Sequence, residues 1–115
     1  MVSIAPSGPP PLNQQGYSVA VTSPSGSVAL VGTASVSAIG ANITRRGVIF
    51  INPNLSGPTI WVAPANQTLV SGQGVPVLPG AQVPFINSGS ATYNCAWVAI
   101  AASGSNNPLQ ILELL

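Results

Sequence analysis

Chemistry on this chain would have to come from very few side chains. Arg45, Arg46 and Glu113 are its whole complement of charges, there is no histidine or aspartate, and Cys95 is the lone thiol. A Ser-His-Asp triad needs an imidazole base, and a paired-carboxylate glycosidase needs two acids, so both are excluded. Zinc and calcium need clusters of ligands that the sequence does not hold. Gly72-Gln73-Gly74 is too short to cradle a phosphate and leads into no helical pattern. The expectation is therefore no enzymatic activity, no cofactor and no metal. Cys95 has no partner for an intrachain disulfide and reads as a small buried hydrophobe. A free thiol also fits assembly in a reducing cytoplasm.

What remains is binding. Arg45-Arg46 stands at the entrance to an apolar run. The pair reads either as two solvated side chains or as a contact to an acidic patch on a partner, since Glu113 can satisfy only one of them. Trp61 and Trp97 could stack on sugars, but tryptophans within β-branched runs are more often core. Two basic residues can neutralise few phosphates, so nucleic acid is not an expected partner. The apolar stretch at 96–102 is far short of the roughly 20 residues needed to span a bilayer. The first residues, MVSIAPSGPPPLNQQG, have neither the basic nor the long apolar region of a secretory signal.

The elements that would position these residues are strands. The stretch RRGVIFINPNLSGPTIWVAP, at 45–64, holds both arginines and the densest β-branched and aromatic run. Val48-Ile49-Phe50-Ile51 and Thr59-Ile60-Trp61-Val62 read as two strands joined by an Asn- and Pro-rich turn, a hairpin-like pair in the middle of a sheet. Before it, Ser18-Val19-Ala20-Val21-Thr22 and Ser35-Val36-Ser37-Ala38-Ile39 alternate with the period of half-buried strands. Val28-Ala29-Leu30-Val31 lies between them, behind a turn at Ser23-Pro24-Ser25-Gly26. After it come a weak strand at Gln67-Thr68-Leu69-Val70, then Val75-Pro76-Val77-Leu78 and Gln82-Val83-Pro84-Phe85-Ile86. The last two contain proline and so belong on sheet edges or at bulges. A long strand is expected over 92–101, with Trp97, Ala99 and Ala101 on one face and Val98 and Ile100 on the other. Tyr17 and Tyr93 read as ordinary strand residues. A final strand covers 109–113.

The fold class is all-β, a β-sandwich or jelly roll of about eight short antiparallel strands spanning residues 17–115. Residues 1–16 form an extended Pro-rich arm, because Pro6 and Pro9-Pro10-Pro11 favour polyproline geometry. The arm reads either as a disordered tail or as a strap over a neighbouring subunit. Ile4, Pro9, Pro10, Pro11, Leu12 and Tyr17 would be its partner contacts, with Arg45 and Arg46 as two more. Charged residues make up only 3% of the chain, against about 25% in ordinary soluble domains, so charge repulsion does little to oppose association.

The order of motifs from 44 to 113 resembles small β-sandwich structural proteins of tailed-bacteriophage particles. It runs Arg45-Arg46-Gly47, a strand to Asn52, Ile60-Trp61-Val62, Gly72-Gln73-Gly74 and Leu78-Pro79-Gly80. Ala99-Ile100-Ala101-Ala102-Ser103-Gly104 and Ile111-Leu112-Glu113 complete it. The resemblance implies a capsid cement or decoration protein on the exterior of the virion, assembled in the host cytoplasm. It also implies a homotrimer bound to the major capsid protein where capsomers meet, with no catalytic residue. Other readings are a receptor- or carbohydrate-binding module of a head or tail fibre, using Trp61 or Trp97, and a tail or baseplate subunit. The Pro-rich arm is outside the resemblance.

Overall fold

The structure is a computed structural model that describes residues 24–66, 69–89 and 92–115. The arm at 1–16, Tyr17 and the strand expected over 18–22 lie outside the described residues. The strands are β1 (Pro24–Val31), β2 (Val36–Ile39), β3 (Gly47–Ile51), β4 (Ile60–Pro64), β5 (Val75–Val77), β6 (Gln82–Ile86), β7 (Trp97–Ala101) and β8 (Asn107–Leu114). They form two four-stranded antiparallel sheets, ordered β1-β8-β3-β6 and β2-β7-β4-β5. Pairing is nested: β1 with β8, β2 with β7, β3 with β6 and β4 with β5. This is one long antiparallel ribbon wound into a sandwich, the jelly-roll topology.

The core lies between the sheets. Val31, Val48, Phe50, Leu109 and Ile111 of the first sheet meet Ile60, Val62, Val77, Trp97, Ala99 and Ala101 of the second. Trp97 packs against Phe50 and Phe85 with ring centroids 5.1 and 4.8 Å apart. The alternation expected for β7 holds: Val98 and Ile100 point outward into a smaller cluster with Trp61, Ala63 and Leu69. Leu69, from the β4–β5 connection, is buried over the outer face of the second sheet.

Several expectations are corrected. β3 and β4 do not pair; each lies inside a different sheet, and the connection between them crosses the sandwich. A strand-turn-strand pattern is the same for a hairpin and for such an arch, and here the crossing is pinned from inside. Asn52 is buried and donates from Nδ2 to the carbonyls of Pro58, at 2.9 Å, and Val77, at 3.0 Å. Of the turn expected at Ser23-Pro24-Ser25-Gly26, Ser23 lies outside the described residues, and Pro24, Ser25 and Gly26 are instead the start of β1, held in register by Leu114, Glu113 and Leu112. Leu69 and Val70 are not strand, and the long strand over 92–101 is reduced to Trp97–Ala101. Tyr93 therefore sits in a connection, its ring 5.3 Å from that of Phe85. The prolines at Pro76 and Pro84 do lie on edge strands, β5 and β6, where a missing amide costs no ladder bond.

Candidate functional site

Two features stand out once the fold positions the side chains: a buried arginine, and an open apolar sheet face. Arg45 leads into β3, and its guanidinium is directed inward under the ends of three other elements. Its Nε donates to Glu113 Oε2 at 2.8 Å, an ion pair whose side chains are 0% and 16% exposed. Nη1 donates to the carbonyls of Cys95, at 2.8 Å, and Tyr93, at 3.1 Å, and Nη2 donates to that of Gly40. Asn87 continues the network, donating to the Arg45 carbonyl at 2.9 Å and accepting from the Tyr93 amide at 2.8 Å. Asn42 Nδ2 reaches the same Glu113 oxygen at 3.4 Å.

This arrangement corrects both readings of Arg45. It is neither solvated nor free for an outside partner, because it is buried, its charge is matched and four of its five donors are used within its own chain. The guanidinium fork ties the end of β2, the connection before β7 and strand β8 to the start of β3. Arg46 differs: it is exposed, and only its backbone is engaged, with Leu114 and Asn87. It is the one unpaired charged side chain among the described residues. Cys95 is also corrected, since it is exposed. Its carbonyl turns in to Arg45, and its side chain is left outside. Trp97 is 2% exposed and cannot face a sugar, while Trp61 is half-buried on the outer face of the second sheet. The two tryptophans do not form a shared platform.

The open face belongs to the first sheet. Register places Gly26, Leu112, Ile49 and Pro84 in one row across it, and Val28, Gln110, Ile51 and Gln82 in the next. A third row brings Leu114, Gly47 and Ile86 together, and Leu30 lies opposite Pro108. No charged side chain is among them. Val28 and Leu30 are each 59% exposed, and Ile86 is 47% exposed. Two glycines shape this surface differently. Over Gly47 the side chains of Ile86 and Leu114 close in, so that an added Cβ would meet them at 2.8 and 3.2 Å. Over Gly26 nothing lies nearer than a backbone oxygen at 4.0 Å. The result is a dent of about 320 Å³ whose lining includes Gly26, Val28, Ile51, Gln110 and Leu112. The second sheet has Leu69 over its outer face; the described residues place no such cover on the first.

The sequence pattern missed Asn52, which reads as a turn residue, and the apolar outer face, which needs register to assemble. The Arg45–Glu113 pair had a signal, because Glu113 is the only acid available. No protein-family model matches the chain, and no curated protein or solved structure matches it either.

Proposed function

We propose that this chain is a structural subunit of a virus particle, a cement or decoration protein on the exterior of a phage capsid. It binds the major capsid protein and assembles with itself as a homotrimer. The observation that carries this reading is the outer face of the first sheet, four strands wide, mostly apolar and uncharged. Jelly rolls serve in viral capsids and in lectins alike, so the fold by itself does not choose between them. The choice rests on the surface chemistry and on the motif order from 44 to 113. Burying apolar area stabilises an interface by about 25 cal/mol per Å², before association costs are subtracted. With Arg46 as the sole unpaired charged side chain among the described residues, counterions contribute little.

Binding to capsids lacking the protein tests the reading. Occupancy is expected to change little between low and high salt, and Leu112→Lys on the open face is expected to abolish it in a folded protein. Removing residues 1–16 is expected to weaken it. A steep loss of occupancy with salt, or full occupancy by the Leu112→Lys protein, would overturn the proposal.

A further inference from the structure

The two sheets have four edge strands, and three of them are blunted. β5 and β6 carry Pro76 and Pro84, and β2 is four residues long with a register shift between Ser37 and Ile39. β1 has none of these devices. It is eight residues long, it runs in unbroken register with β8, it contains no charge, and its only proline is the first residue. Among the described residues no strand pairs with its other edge. A long, uncharged edge in unbroken register is a template for another strand, and natural proteins rarely leave one bare. Beside it lies the dent at Gly26.

We infer that residues 17–22 of a second copy of this chain add to the free edge of β1 as a fifth strand of the first sheet. The segment, Tyr17-Ser18-Val19-Ala20-Val21-Thr22, lies outside the described residues and ends two positions before β1 begins. Its alternation is that of a strand with one apolar side, Tyr17, Val19 and Val21. That side continues the apolar outer face, where the open space over Gly26 receives the Tyr17 ring. Gln110 at the rim suits the phenol hydroxyl. Main-chain bonds along the edge supply affinity and the seated side chains supply specificity, the mode of strand addition.

Addition within one chain is disfavoured by the same residues. Pro24 is already in register opposite Leu114, so a hairpin back onto β1 would have only Thr22 and Ser23 for its loop. Two-residue loops require a positive φ and favour glycine or asparagine, which a β-branched threonine does not replace. A residue preceding proline is also held extended, which carries Ser23 onward and not around. The added strand therefore comes from a neighbour, and reciprocal or cyclic exchange closes the assembly.

This goes beyond the capsid reading and needs no particle for its test. The experiment is light scattering on full-length protein with one defect per chain: Val28→Lys spoils the edge, and Val19→Asp spoils the segment. Wild type is expected at a multiple of 11.5 kDa, and each variant alone at the single-chain mass with an unchanged urea midpoint. An equimolar mixture should return to twice the single-chain mass, because the intact segment of one variant fits the intact edge of the other. Leu30→Lys is a second edge variant should Val28→Lys fail to fold. A single-chain mass for wild type, retained mass in either folded variant, or no recovery on mixing would each overturn the inference.

Discussion

Arg45 and Arg46 are adjacent and chemically identical, yet the fold gives them opposite roles. Arg45 holds an ion pair and three backbone carbonyls inside the protein, and Arg46 is exposed. Arg45→Met leaves the Glu113 carboxylate without its counter-charge and three carbonyls without a donor, and is expected to cost about 3–5 kcal/mol in urea unfolding. Arg46→Met is expected to stay within about 0.5 kcal/mol. Equal effects from the two variants would contradict the inward placement of Arg45. Asn52→Ala removes both donors to Pro58 and Val77 and is expected to cost about 1–3 kcal/mol. In the sequence these residues looked alike or looked ordinary. Which arginine turns inward depends on the carbonyls of Gly40, Tyr93 and Cys95, brought together only by the folded chain.

At the scale of elements, strands were legible wherever side-chain alternation or proline placement has a direct physical meaning. The edge positions of β5 and β6 follow from a missing amide, and the two faces of β7 follow from its period. Pairing partners were not legible, because the chemistry that ends β3 at Asn52-Pro53 suits a crossing as well as a hairpin. Turns carry their own test. Gly72 and Gly74 both have positive φ, at 87° and 95°, but only Gly74 is crowded, with Val62 O 2.8 Å from an added Cβ. Gly72→Ala should therefore cost about 1–2 kcal/mol, the usual penalty for a left-handed alanine. Gly74→Ala should cost clearly more. Equal unfolding midpoints for the two variants would show that the Val62 contact relaxes freely.

For the molecule as a whole, nested pairing means that β1 cannot find β8 until the chain between them has been gathered in. Most of its contacts are distant in sequence, which places refolding in the millisecond-to-second range typical of all-β sandwiches. Stopped-flow dilution from urea checks this, and completion within microseconds would be inconsistent with the topology. The same winding explains why composition spoke clearly about fold class but not about surface. Ile49, Leu112 and Val28 lie far apart in sequence and become one uncharged face only through the β1-β8-β3 register.

The second sheet also places its two tryptophans in different layers, Trp97 inside the sandwich and Trp61 on the outer face near Leu69. Each layer thus has its own built-in optical probe. With Trp61→Phe, the remaining emission should be blue-shifted and poorly quenched by acrylamide; with Trp97→Phe it should be redder and more readily quenched. Loosening of the Leu69 cover would then appear as a change in one fluorophore while the other stays silent, so the outer layer can be watched coming away before the core gives up its packing.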